Sequence, residues 1–251
     1  MNSGANPARS AARRAFKGQS IEAVVFDLDD TLWPIAPVII RAETAMREWI
    51  AQHVPDVAAG WDGSTLKRVR SGLITANPAI ANDVMALRRG TIFAAFDELG
   101  GTPLQAALAF NCFSAARQKV EFYPDALPAL ERLAAHFRLG VISNGFANVQ
   151  AIGIGHWFEV VISAHEVGVS KPEPAIYHAC VERMALPGSA MLYAGDDPHN
   201  DVVGPQAIGL KAAWINRSGA SWPQSLDGSH SPDGVFADLT AFADWMLDAD
   251  Y

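Results

Sequence analysis

An α/β fold, built on a doubly wound and mostly parallel sheet with a helical insert, is what this sequence of 251 residues predicts. Three observations lead there. Short β-branched apolar runs alternate with helix-like stretches, two of those runs end in Asp-rich clusters, and the long segment after the first run has helical periodicity without a buried strand. Half the residues are hydrophobic and only 18% are charged, enough to bury one sizeable core or a core with a satellite.

The first run, Ile21-Glu-Ala-Val-Val-Phe-Asp27, has the pattern of a strand covered on both faces. Similar runs follow at Arg138–Ser143, Glu159–Ser163, Ala190–Ala194 and Lys211–Ile215. Helices are expected between them at Asp125–His136, Ala147–Ile154, Pro174–Met184 and Asp201–Ile208. This alternation gives a Rossmann-like sheet, whose sites form outside the carboxyl ends of its strands. The core is therefore expected from 21–34 and 120–251. Residues 218–234 read as a loop before a last short strand and helix. Residues 1–20 read as a flexible tail bearing Arg9, Arg13, Arg14 and Lys17.

Residues 35–119 are expected to form a helical cap of three or four helices. Met85, Ile92, Phe96 and Leu99 share one helical stripe, and Leu104, Leu108, Cys112 and Ala115 another. Asn77-Pro78 and Gly100-Gly101-Thr-Pro103 mark the breaks.

The net charge of -8 excludes a broad nucleic-acid surface, which needs clustered Lys and Arg. No apolar run reaches the ~20 residues of a membrane span, and no secretory leader is evident, so a cytoplasmic location is expected. The two cysteines, Cys112 and Cys180, have neither metal-ligand spacing nor the pattern of a disulfide framework.

Chemistry concentrates in four places. Asp27-Leu-Asp-Asp-Thr-Leu-Trp33 ends the first strand, and alternation puts Asp27 and Asp29 on one side of an extended backbone. Two carboxylates that close repel by about 4 kcal/mol at 4 Å and an effective dielectric near 20. A divalent cation is the simplest compensation. Gly195-Asp-Asp-Pro-His-Asn-Asp201 follows another strand in the same way, and carboxylate oxygens suit Mg²⁺. The plainer alternative is that these acids cap helices and turns, a role open above all to Asp30 and Asp197. Ser143-Asn-Gly145 leads from a strand into a helix, where a hydroxyl and free N–H groups can hold phosphate oxygens. Lys171 opens a helix whose dipole disfavours a cation, which calls for an anionic partner.

Taken in order, Asp27-Leu-Asp-Asp-Thr31, Ser143-Asn-Gly145, Lys171-Pro172 and Gly195–Asp201 resemble the four motifs of the haloacid dehalogenase-like superfamily. The resemblance covers roughly 20–34 and 120–240, with the helical segment where that superfamily places its first type of cap. It implies a Mg²⁺-dependent phosphatase in which Asp27 is the nucleophile and Asp29 the general acid/base. It further implies that Asp27, Asp196, Asp201 and the Asp29 backbone carbonyl serve the metal, while Ser143, Asn144 and Lys171 bind substrate. Haloacid dehalogenases of the superfamily lack a carboxylate at the position of Asp29, because halide leaves without a proton. A phospho-accepting signalling module shares the residue types, but places its acid pair and its phosphorylated Asp on different strands.

Asp-Leu-Asp-Asp-Thr-Leu, Pro37–Glu43, Arg88-Arg89 and the late Ala-Trp-Ile also resemble bacterial flavin mononucleotide and ribitylaminouracil phosphate phosphatases. This implies a small phosphorylated metabolite as substrate, flavin mononucleotide or another riboflavin-pathway phosphate. The cap arginines and Trp33 are then expected to read it; Trp33 and Trp214 are the indoles that could stack on a flat ring, the plainer alternative being that both belong to the core.

Overall fold

The computed structural model describes residues 15–16, 19–226, 228 and 230–248. Most of the expected tail lies outside the described residues. Its described part, Ala15–Phe16, pairs antiparallel with Gln19–Ser20.

Six strands form the main sheet: β1 (Ala23–Phe26), β2 (Arg138–Ser143), β3 (Phe158–Ser163), β4 (Met191–Gly195), β5 (Lys211–Ile215) and β6 (Gly234–Phe236). Their order is β3-β2-β1-β4-β5-β6, and every pairing is parallel. The sequence therefore runs outward from β1 in one direction, then crosses back to β4. The carboxyl ends of β1 and β4 flank the topological switch point, where the chain departs to opposite sides and leaves a crevice.

Alternation along β1 sends Val24 and Phe26 into one apolar layer and Ala23 and Val25 into the other. Helices Ala126–Ala134 and Leu239–Leu247 cover the first face, and Pro174–Met184 covers the second. Two expected helices differ. Ala147–Ile154 is one turn, Val149–Ile152, because Gly153 leaves the helix at φ 94°. The helix expected from Asp201 begins earlier, as a wide π-helical turn at Pro198–Val203 capped by Asp197.

The insert after β1 carries four long helices, α1 (Ile35–His53), α2 (Gly63–Ala76), α3 (Val84–Glu98) and α4 (Pro103–Arg117), with short helical turns at Pro55–Ala58 and Pro78–Asn82 between them. Asp62 and Asp83 cap α2 and α3, and Thr102 with Gln105 forms a capping box before Pro103 at the start of α4. Ala42, Met46 and Ile50 of α1 meet Phe96 of α3 and Phe110 and Phe113 of α4 in an apolar core of their own.

The stripe expected on α3 points inward, with Ile92 and Phe96 buried. The stripe expected on α4 does not. Leu104 is 69% exposed and Leu108 44%, while Ala106, Ala109, Phe110 and Phe113 are buried. The helix has two apolar faces, and the aromatic one, with more surface to remove from water, turns inward.

Candidate active site

The site begins where β1 runs out. The Asp27 N–H still donates to the Ala194 carbonyl at 3.0 Å, continuing the β1–β4 ladder and fixing the backbone under its carboxylate. After β4, Gly195 leads into the second acidic cluster; a Cβ there would lie 2.4 Å from the Asp201 carboxyl carbon, so the close approach requires glycine. The two clusters face each other across the switch point. One oxygen each from Asp27, Asp196 and Asp201 lie within 4.8 Å of one another.

Lys171 enters this group from the loop before Pro174–Met184. Its Nζ donates to Asp27 Oδ1 at 2.6 Å, Asp201 Oδ1 at 2.7 Å and the Tyr193 hydroxyl at 3.0 Å, using all three ammonium protons. The anionic partner that Lys171 needs is thus supplied within the protein. Burial alone would favour the neutral amine, but the Asp201 and Asp27 carboxylates outweigh it and hold Lys171 firmly charged. The same crowding acts on the acids. Burial pushes the Asp27 carboxyl well up, offset in part by Lys171 and reinforced by Asp201 and Asp196. Burial, then the charges of Asp201 and Asp30, push Asp196 up to about 7.

The loop after β2 closes another side. Ser143 is buried, and its hydroxyl accepts the Gly145 N–H at 3.0 Å. Asn144 accepts the Lys171 N–H at 2.7 Å and donates to the Lys171 carbonyl at 3.1 Å. Its amide, expected to touch substrate, bonds both backbone groups of Lys171 at the wall of the cavity. Asp27, Asp29, Ser143, Asn144, Lys171, Asp196 and Asp201 all line one cavity of about 160 Å³.

Asp29 departs from the expected arrangement. β1 ends at Phe26, and the Asp29 carboxylate, which lines the same cavity, is held by Arg117, whose Nη2 lies 2.6 and 2.7 Å from its two oxygens. Trp33 Nε1 donates to Asp29 Oδ1 at 2.8 Å. Asp30 and Asp197 accept backbone N–H groups at helix starts, as the capping alternative has it.

The two indoles are not stacking platforms. Trp33 is fully buried and held by Asp29, and Trp214 donates to the Asp196 carbonyl at 2.7 Å and packs on Trp222. Arg88 pairs with Glu43 at 2.7 Å over the ring of Phe113, and Arg89 lies over Phe93; neither lines the acidic cavity. Sequence reasoning missed Arg117 and Tyr193. Tyr193 sat inside an apolar run, and only its hydroxyl hinted at a buried polar partner.

A parallel sheet in this order, with two Asp clusters, a hydroxyl and a buried lysine at its switch point, defines a class of hydrolase. The chain belongs to the haloacid dehalogenase-like hydrolase family, whose model matches residues 21–209.

Among its relatives is the 5-amino-6-(5-phospho-D-ribitylamino)uracil phosphatase YigB of Escherichia coli (strain K12), 30% identical over 84% of this chain and 90% of that protein. The (S)-2-haloacid dehalogenase H-109 of Pseudomonas putida is 26% identical over 92% of this chain and all of its own length. Among solved structures, a 2-haloacid dehalogenase from Pseudomonas syringae pv. Tomato DC3000 superposes with a TM-score of 0.83 at 35% identity, over 89% of this chain and 97% of that one.

Proposed function

We propose that this hydrolase is a Mg²⁺-dependent phosphatase that cleaves a small-molecule phosphomonoester through an aspartyl-phosphate on Asp27. The observation that carries the reading is the buried Lys171 between Asp27 and Asp201, with an oxygen of Asp196 within 4.8 Å of theirs. One ammonium against three carboxylates leaves a deficit of positive charge that a hard divalent cation would remedy, and an all-oxygen donor set fits Mg²⁺. The carboxylates of Asp27 and Asp196 and the Asp29 carbonyl would hold it, with Asp201 beside them. When bound, it supplies positive charge that lets an anionic nucleophile meet an anionic phosphate.

In this reading Asp27 attacks phosphorus while Asp29 gives a proton to the departing oxygen. Asp29 then takes a proton from water, whose oxygen attacks the acyl phosphate, returning the Asp27 carboxylate and inorganic phosphate. Lys171 and Ser143 hold the phosphoryl oxygens, Lys171 offsetting their charge against Asp27. Asn144 serves by keeping the Lys171 backbone in place.

Residues 35–119 act as the cap that covers the cavity and reads the leaving group, and residues 21–34 with 120–251 as the core. Likeness to the ribitylaminouracil phosphatase supports a riboflavin-pathway phosphate or flavin mononucleotide as substrate. Free Cys112 and Cys180 accord with a cytoplasmic enzyme.

The structural neighbour titled 2-haloacid dehalogenase favours a second reading. The carboxylate of Asp29 in the cavity argues for phosphoryl transfer, since an alkoxide needs a proton and a halide does not. A panel of p-nitrophenyl phosphate, flavin mononucleotide, a sugar phosphate and a 2-haloacid, with Mg²⁺ or EDTA, separates them. Metal-dependent phosphate release with higher kcat/KM on flavin mononucleotide than on sugar phosphates is expected; halide release without phosphate release would establish the dehalogenase.

A further inference from the structure

Arg117 is the last residue of α4, yet its side chain is only 1% exposed. Its Nη2 holds both oxygens of Asp29, and its Nη1 is buried with no hydrogen-bond partner. A buried guanidinium with one arm unpaired is a poor stabiliser, and an apolar side chain in its place is often neutral or better. Its position serves something else. Asp29 lies beyond the end of β1, its backbone in an isolated bridge to Trp33, and its side chain is 22% exposed in the cavity. Gly145 leaves room for the contact: a Cβ there would come within 2.7 Å of Asp29 Oδ2 and 3.5 Å of Arg117 Nη2. The next residue, Gln118, binds the loop after β2, donating to the Phe146 carbonyl at 3.4 Å and accepting the Asn148 N–H at 2.7 Å. Two consecutive residues at the end of α4 thus hold Asp29 and the Ser143 loop together.

We propose that Arg117 is a positioning residue for proton transfer, fixing the Asp29 carboxylate in the cavity from the last turn of the helical insert. This rests on the reading of Asp29 as general acid/base. Oδ1 accepts from Arg117 and Trp33 and Oδ2 from Arg117, so the carboxylate is aimed before substrate arrives. Misplacement of a catalytic group by about 1 Å can cost on the order of 100-fold. Lysine keeps the charge but not the rigid planar head whose Nη2 reaches both oxygens.

The test is leaving-group dependence. Glycerol 2-phosphate expels an alkoxide that needs a proton; p-nitrophenyl phosphate expels a stable phenolate that does not. Arg117→Lys should lower kcat/KM on glycerol 2-phosphate about 10- to 100-fold and on p-nitrophenyl phosphate less than about 5-fold. Arg117→Met should widen the gap, and Lys should rescue part of the Met loss. Should the Met variant fail to fold, as its melting curve would show, the Lys variant decides alone. Equal losses on both substrates would overturn the proposal and leave Arg117 a structural residue. Asp29→Asn, measured alongside, keeps the two ideas apart. If it shows the selective loss and Arg117→Lys does not, the proposal fails and the acid/base reading stands; if Asp29→Asn loses both equally, that reading fails first.

Discussion

The sheet edge and the helical insert treat charge in opposite ways. At the edge, Asp27, Lys171 and Asp201 are all buried within one hydrogen-bonded group. In the insert, the interior is Ala42, Met46, Ile50, Phe96 and Phe113, and ion pairs such as Arg68 with Glu98 stay in water. Arg117 is the exception, a buried cation of the insert that pairs with the core. Buried charge is costly unless fully paired, so its concentration at one sheet edge marks where function outweighs stability. Removing a group at the edge should alter chemistry or metal binding along with stability, whereas removing one from the insert, Arg117 apart, should alter stability or nothing.

The largest effect expected is on chemistry. Asp27→Asn replaces the proposed nucleophile with an amide that cannot become an acyl phosphate, and kcat should fall by about 10⁴-fold or more with the fold intact. Near-native turnover by a folded Asp27→Asn variant, checked by circular dichroism, would break the proposed mechanism.

Next comes Lys171→Met, which leaves Asp27 and Asp201 buried without their common cation. Truncating one partner of a buried ion pair costs about 3–5 kcal/mol. Urea unfolding should show this as a lower midpoint, together with loss of phosphatase activity. A variant as stable as the parent would mean that the cleft is far wetter than its geometry implies.

Much of this edge was legible in the sequence because strand ends are legible. β-branched runs stopping at Asp27 and Gly195 located both acidic clusters, and the parallel register of β1 with β4 brought them face to face. What stayed hidden were partners fixed by tertiary contact. Lys171 was expected to need an anion, but its partners lie 144 and 30 residues away in the chain. Arg117 looked like an ordinary basic residue at a helix C-terminus, where the dipole already favours it, so nothing local distinguished it. Alternation placed Asp29 beside Asp27, but the strand had already ended, and Arg117 and Trp33 set its direction.

Asp196→Asn sharpens the comparison by raising stability at the functional edge. The folded-state pKa of Asp196 is about 7 against an ordinary 3.8, so the folded protein keeps this proton after the unfolded chain has lost it. The penalty is absent below the lower value, grows as pH rises between the two, and is fully present above the upper one. Without metal, Asn should therefore stabilise by about 1–2 kcal/mol at pH 8, after allowance for screening in an open cleft, and hardly at all at pH 4. With Mg²⁺ the order should reverse, because the parent gains from metal binding and the variant gains less. Melting temperatures at both pH values, with and without Mg²⁺, check both signs; an equal metal-induced shift in the two proteins would remove Asp196 from the metal site.

The smallest effect expected concerns the misjudged face of α4. Leu104 and Leu108 fit a helical stripe as well as Phe110 and Phe113 do, but the stripe turned to water has little apolar area left to lose. At about 25 cal/mol per Å² of area removed from water, stabilisation follows the buried face and not the pattern. Leu104→Gln and Leu108→Gln should therefore each change stability by no more than about 0.5 kcal/mol. Phe110→Ala, on the opposite face of the same helix, should cost about 3–5 kcal/mol. Urea midpoints with an unchanged slope measure all three on one scale. A loss of more than about 1.5 kcal/mol at Leu104 or Leu108 would mean that this face is covered in solution, and a small loss at Phe110 would mean that α4 is turned the other way. The second result would move the end of α4, and with it Arg117, away from Asp29, so the orientation of this helix bears directly on how the insert grips the site.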